Sequence, residues 1–489
     1  MSLPFTPLYI DGEWRPSSSG ATFDVHNPTS GNVVGTAAAA SAEDCAAAVQ
    51  AAGRAFKTWE RSSLSQRRDL LIQASDILAT KREQIMTSFR EETAGTEDWL
   101  WVNCDWCVEQ LRDMAASTML LRGSTGPSII PGAQTFIQRR AIGPVLSIVP
   151  WNAPIVLTLR AVAVPIICGN TVVLKTSEVS PRTQAIIVET FIEAGVPKGV
   201  LNLISTNKED SPARTSEIIG NPIIRKINFT GSDVVGRLIA KEAAQYLKPC
   251  VFELGGKAPV VVLNDADIPR AARAIASSAL LHSGQICMST ERVIVQRGAA
   301  DSLLEHLTTI FKRIKAGDPH LDKAATIGAL FNKGSAENAI SMIQDAVEDG
   351  AKVVVGDLSR EGAIMQPHLL VDVKPGMRIW DRETFAPVAI VAVGDTVDEV
   401  VDLANASDYS LIAGLWTKDV HKAFDVAGRI NASTNNINGP TVHVELIREN
   451  GGLGGSTGYG LFMVEDWTQL KMIVLHPEQE PPYPLTATM

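Results

Sequence analysis

Long apolar runs are missing from this chain of 489 residues. No stretch of eighteen uncharged apolar residues occurs although 45% of the residues are hydrophobic, so a membrane-spanning helix is excluded and the apolar side chains are expected to fill a globular core. Cysteine is scarce as well. Six thiols, at positions 45, 104, 107, 168, 250 and 287, are too sparse for a disulfide scaffold at this length, and a reducing, cytoplasmic setting is the simplest expectation. Cys104-Asp-Trp-Cys107 has C-x-x-C spacing but no second cysteine or histidine pair to complete a metal set, and the eight histidines are scattered. The pair is expected to be structural or tunnel-lining, and no metal site is expected. Basic clusters are lacking too: a net charge of −10 without a basic patch argues against nucleic acid or an anionic membrane as partner and leaves small ligands. The first ten residues, Met1-Ser-Leu-Pro-Phe-Thr-Pro-Leu-Tyr-Ile10, do not run from a basic region into an apolar one, so no signal peptide is expected. Repeats, low-complexity tracts and the dinucleotide fingerprint G-x-G-x-x-G are also absent.

What is present is an alternation of helical and β-rich segments. The length exceeds what one core usually holds, which predicts two or three domains. Leu70, Ala74, Ile77 and Leu78 form one apolar helical face. The runs Val145–Val149, Thr171–Leu174, Val200–Ile204 and Ile227–Phe229, separated by helices, predict βαβ units and a parallel sheet buried on both faces. The pattern restarts after Glu253 with Val260–Leu263, a helix near Ile268–His282, Arg292–Gln296 and a helix near Ala300–Lys315, so a second α/β domain is expected there. Residues 123–141, rich in Gly and Pro, predict a protruding β-hairpin, and the tail from about 470 contains a short strand at Met472–His476. An exposed strand edge is a liability unless covered, which favours an oligomer.

Two residues suggest covalent chemistry. Cys287 closes Ser283-Gly-Gln-Ile-Cys287, and Glu253 opens Glu253-Leu-Gly-Gly-Lys, 34 residues earlier. A thiolate attacks a carbonyl carbon, and a carboxylate then activates the water that cleaves the covalent bond. Pro150-Trp-Asn152-Ala-Pro154 offers an amide to a developing oxyanion, and Asn228-Phe-Thr-Gly231-Ser232-Asp-Val-Val-Gly236 reads as a strand entering a glycine-opened helix that could face a dinucleotide. The plain alternatives are a carboxylate capping a glycine turn and a buried small thiol. His282, five residues from Cys287, has nothing evident to orient it as the partner that a cysteine hydrolase would need.

Together with Lys175, 23 residues beyond Asn152, and Glu383-Thr-Phe385-Ala-Pro-Val, these motifs resemble the aldehyde dehydrogenase superfamily over nearly the whole chain. The resemblance implies an α/β fold of two Rossmann-like parallel-sheet domains plus a small β oligomerisation arm. Residues 1–122 and 142–253 would bind NAD, 254–469 would carry the catalytic thiol, and 123–141 with 470–489 would form the arm and tail of a homodimer or homotetramer. It implies oxidation of an aldehyde to the acid with Cys287 as nucleophile, Asn152 at the oxyanion and Glu253 as base. Around the cofactor it places Ile148, Val149, Pro150, Trp151, Pro212, Phe229, Gly231, Ser232, Val235, Leu254, Glu383 and Phe385. Lys175 and Glu178 would hold the adenosine ribose, and a carboxylate there repels a 2′-phosphate, so NAD is expected with NADP possible.

Arg160 and Asn436-Ile-Asn438-Gly-Pro-Thr-Val-His443 look like the salicylaldehyde, vanillin and benzaldehyde dehydrogenase branch. That predicts an aromatic aldehyde, with Arg160, Trp106, Val156 and Ile286 lining the substrate channel. Arg160 has two readings: a guanidinium stacked on a ring or paired with a substrate substituent, or an ion pair toward the neighbouring domain. The loop from Val444 to Gly460 departs from the family pattern by lacking its Phe and Lys, which leaves aliphatic aldehydes and semialdehydes open as substrates. A CoA-acylating relative would typically lack the base at Glu253, and a non-catalytic binding protein would be expected to have lost Cys287 or Glu253.

Overall fold

The computed structural model describes residues 3–443, apart from 320 and 323, and residues 451–478. Two seven-stranded sheets dominate. In the first the strand order is Cys250–Glu253, Lys226–Thr230, Pro144–Ile148, Thr171–Lys175, Leu201–Ile204, Leu8–Ile10, Glu13–Arg15. The first five strands run parallel, and the last two are added antiparallel. Pro144–Ile148, Thr171–Lys175, Leu201–Ile204 and Lys226–Thr230 are buried at every position, as expected for βαβ strands covered by helices on both faces. The chain lays down Pro144–Ile148, builds two strands to one side and then two to the other. The crevice at the carboxyl ends of Pro144–Ile148 and Lys226–Thr230 is therefore a topological switch point, the place where open α/β sheets bind ligands.

The second sheet runs Lys352–Val355, His368–Val371, Val388–Gly394, Thr290–Gln296, Ala258–Val262, Ile412–Trp416, Thr434–Ile437, with only the first strand antiparallel. Glu253 closes a strand of the first sheet, and Ala258 opens one of the second. The four-residue link Leu254–Lys257 thus joins the carboxyl edge of one sheet to the amino edge of the other.

Strand Gln134–Ala141 pairs with Ser124–Pro127 on one side and with Thr468–Leu475 on the other, from Thr468 opposite Ala141 to Leu475 opposite Gln134. The tail strand therefore starts four residues earlier than Met472, because the hairpin strand offers a partner along its whole length. Leu470, Met472, Ile473 and Leu475 stay exposed on it. Two helices also differ from the sequence expectation: Ile268–Leu280 stops short of His282, and the next one covers Arg297–Phe311. The first is cut off because His282, Ser283 and Gly284 all take left-handed φ values, at 49°, 57° and 73°. The Trp-rich stretch holding Cys104 and Cys107 is helical, with a π turn at Val102–Trp106 inside it. All six cysteines are free, and no cluster able to hold a metal occurs among the described residues. No helix of the described residues is long and apolar enough to cross a membrane.

Candidate active site

Helix Pro154–Ile167 is buried along its entire length, starts with Pro at its first position, and carries a single charge, Arg160. Asn152 precedes it, 5% exposed, and donates from Nδ2 to the carbonyl of Gln285 at 3.0 Å, which brings the amide beside the loop that ends in Cys287. Trp99 Nε1 fixes the Asn152 carbonyl at 2.8 Å. Trp151 stacks on Phe331 with ring centroids 4.5 Å apart and meets Phe385 edge-on at 6.1 Å.

Cys287 is half-buried. Burial, then the nearby charge of Glu253, push its thiol well above the ordinary range, so the resting group is a thiol. The loop is tightly fitted. A Cβ on Gly256 would come within 2.4 Å of the Cys287 carbonyl, and one on Gly284 within 2.1 Å of the Ala386 carbonyl. Glu253 is 3% exposed; its Oε2 accepts from Arg160 Nη2 at 2.8 Å, while Oε1 is buried with no hydrogen-bond partner. Arg160 also donates to Thr230 Oγ1 at 2.9 Å and lies over the Phe462 ring at 3.7 Å. Thr230 and Glu253 lie at the carboxyl end of the first sheet, and Phe462 lies in the segment before the tail strand. His282 is buried against Phe89 and Trp99, and burial pushes its pKa down to about 3, so it is a neutral ring within an aromatic stack.

At the first sheet's carboxyl edge, Ile148 ends the central strand, and Val149 N–H bonds the Lys175 carbonyl at 3.3 Å. Burial lowers the pKa of Lys175, with the Glu178 charge opposing, and Glu178 is half-exposed. Ser232 caps helix Asp233–Gln245, whose first turn exposes Val234 and Val235. A Cβ on Gly231 would strike the Phe229 ring at 2.6 Å, and one on Gly236 the Leu254 side chain at 2.3 Å, so both glycines permit close packing. Pro212 lies exposed in the first turn of Ser211–Gly220, and Leu254 is buried. Glu383 Oε1 accepts from Gly256 N–H at 2.9 Å; burial, reinforced by the neighbouring Glu291 charge, raises its pKa strongly. Phe385 takes a left-handed φ of 50°. Val156 and Ile286 are buried in one apolar cluster with Phe462, and Trp106 packs partly buried against it. Residues 444–450 of the atypical loop lie outside the described residues.

Three features were not read from the sequence. Glu291 accepts from Lys257 Nζ, from the N–H groups of Thr384 (2.9 Å) and Phe385 (3.2 Å), and from Thr384 Oγ1, so a buried ion pair holds the loop of Glu383 and Phe385. Its available signal was two charges flanking apolar strand runs. Gln184, fully buried, takes Ser177 N–H on Oε1 and gives Nε2 to the Pro150 carbonyl, both at 2.8 Å, tying together the loops after two adjacent strands. Trp99 is the third.

The aldehyde dehydrogenase family profile matches residues 14–473. The chain is 42% identical over 473 residues to a vanillin dehydrogenase of Pseudomonas sp. strain HR199, covering 96% of this chain and 97% of that one. It is 40% identical over 483 residues to a salicylaldehyde dehydrogenase of Pseudomonas sp. strain C18, covering 98% and 100%. The crystal structure of a salicylaldehyde dehydrogenase from Pseudomonas putida G7 complexed with salicylaldehyde superimposes with a TM-score of 0.95 at 38% identity, over 98% of this chain and 100% of that one. Relatives whose names carry a cofactor include NAD and NADP users.

Proposed function

Since the chain belongs to the aldehyde dehydrogenase family, an oxidoreductase family acting on aldehydes, we propose that it oxidises an aromatic aldehyde to the carboxylic acid with NAD through a thioester on Cys287. The observation that carries this reading is the convergence of a half-buried thiol, a carboxylate with one unpaired buried oxygen, and the Asn152 amide at the junction of two sheets. Cys287 Sγ, as thiolate, forms a bond to the aldehyde carbon, its proton passing to Glu253 and on to solvent. The oxygen becomes an alkoxide, which the Asn152 amide and the Cys287 N–H stabilise. Loss of the C–H hydrogen with its electron pair leaves the thioester. Water then adds to the thioester carbon while Glu253 takes its proton; the C–S bond breaks, and the acid departs.

The residues present fit a dinucleotide. A capped helix N-terminus with an exposed first turn stands at the switch point, and its acidic Asp233 is offset by Arg382 and Arg237, 3.4 and 3.9 Å away. Lys175 and Glu178 would hold the adenosine ribose; Glu383 and Phe385 would hold the nicotinamide half. NAD, when bound, supplies the acceptor for the hydrogen. Glu178 supports NAD over NADP by repelling a 2′-phosphate.

The names of the vanillin and salicylaldehyde dehydrogenases support an aromatic substrate. NADH formation with vanillin, salicylaldehyde and benzaldehyde, against propanal, hexanal and succinic semialdehyde, tests it: the aromatic set should lead in kcat/KM by about tenfold, roughly 1.4 kcal/mol. A preference for hexanal or the semialdehyde would refute the substrate class and leave the dehydrogenase chemistry standing. The exposed apolar residues of strand Thr468–Leu475 support a homodimer or homotetramer, testable by light scattering. Six free thiols support a reducing, cytoplasmic compartment.

A further inference from the structure

Arg160 is the only charge on a helix with all its residues buried, and a guanidinium in such a place persists only with partners. Two of them are Thr230 and Glu253, which stand opposite each other on adjacent parallel strands at the carboxyl edge of the first sheet. Arg160 Nη2 reaches both, at 2.9 and 2.8 Å, and its flat face lies 3.7 Å over Phe462. The guanidinium therefore clamps two strand ends and fixes one oxygen of the Glu253 carboxylate, while the other oxygen keeps no hydrogen-bond partner among the described residues. A general base requires both conditions: a held orientation and a free lone pair.

We propose that Arg160 is a positioning residue for deacylation, holding Glu253 in the orientation from which it activates water, rather than a reader of the substrate ring. The proposal rests on the covalent reading above. It predicts that loss of the guanidinium slows thioester hydrolysis on every aldehyde alike and spares the first hydride transfer. The neighbouring strand partner belongs to the same device: without the Thr230 hydroxyl, the clamp loses one of its two fixed points.

Rapid-mixing measurements of NADH with benzaldehyde and with hexanal provide the test. For Arg160→Gln, a burst of about one NADH per site is expected, followed by a steady state at least about tenfold below wild type on both substrates, with the acyl-enzyme visible by mass spectrometry. Arg160→Lys, which keeps the charge, should retain more of the steady state than Arg160→Gln, and Thr230→Val should show a smaller defect of the same kind. Should Arg160→Gln fail to fold, Thr230→Val and Arg160→Lys carry the test. Loss confined to benzaldehyde, or a burst that disappears in step with turnover, would overturn the proposal. A wild-type enzyme that makes no NADH with either aldehyde would bring down the underlying dehydrogenase reading as well.

Discussion

Replacing Glu253 by Gln should make Cys287 more reactive toward alkylation while making the enzyme slower. The carboxylate raises the thiol pKa through its charge, after burial itself. Two like charges about 4 Å apart repel by about 1 kcal/mol in water and about 4 kcal/mol at an effective dielectric of 20. At about 1.4 kcal/mol per tenfold, removing the Glu253 charge lowers the thiol pKa and favours the thiolate by about one to three powers of ten. The thiolate fraction at neutral pH rises by that many powers of ten, but a less basic thiolate is a poorer nucleophile by roughly threefold per unit. Alkylation should therefore accelerate by about 3- to 30-fold. Gln can still accept from Arg160 through its amide oxygen, so the clamp is disturbed less than by a truncation. The assay is iodoacetamide labelling of cofactor-free enzyme between pH 6 and 9, followed on the Cys287 peptide, with the buried Cys45, Cys104, Cys107 and Cys168 as internal controls. Wild type should keep gaining rate with rising pH, and the variant should reach the same rate at lower pH. An unchanged or slower variant would refute the electrostatic picture of the site.

Cys287→Ala should abolish NADH formation and leave NAD affinity within about threefold, because the thiol builds no part of the nucleotide cleft; calorimetry beside a turnover assay checks both. Glu178→Gln should narrow the kcat/KM preference for NAD over NADP by relieving repulsion of the 2′-phosphate, and equal wild-type efficiency with the two cofactors would count against the assignment. Glu92, buried and accepting from Thr183 and Arg182 at the start of helix Pro181–Glu193, has its pKa raised to about 7, chiefly by burial. A raised carboxyl pKa means that stability is present at low pH and is lost as pH climbs from about 4.5 through about 7. The unfolding free energy of Glu92→Gln relative to wild type should therefore improve over that interval, by no more than about 3 kcal/mol in all, as read by denaturant titration at each pH. A difference independent of pH would show that folding does not raise the Glu92 pKa.

The main strands and the segments that meet at the candidate site were legible in the sequence because each is local. An apolar run of five residues declares a buried strand, and Glu253, Cys287 and Asn152 sit in short glycine- or proline-marked segments. What was not legible depends on distance along the chain. Arg160 and Glu253 are 93 residues apart, so their pairing could not be distinguished in advance from a substrate contact. Gln184 looks like any helical glutamine until the crossing of its helix over two strand ends is known. Backbone conformation was equally hidden: nothing in the sequence run marked His282 and Ser283 for left-handed φ, and the turn they make with Gly284 follows directly on the end of the helix.

The arm sheet has a consequence for the chain's own synthesis. Arg139 and Thr468, joined by a 3.1 Å hydrogen bond in the finished arm, are 329 residues apart. At about 5 to 20 residues per second, the hairpin strand Gln134–Ala141 waits roughly a quarter of a minute to a minute on the ribosome before its second neighbour emerges. Through that interval one row of its backbone donors and acceptors stays open to any extended segment nearby, including the same strand of an adjacent nascent chain. Basic side chains at Arg139 and Arg140 discourage such pairing between copies. A shortened message ending before Thr468 would make that temporary edge permanent, and such a product should be lost to aggregates even though both large sheets could be complete.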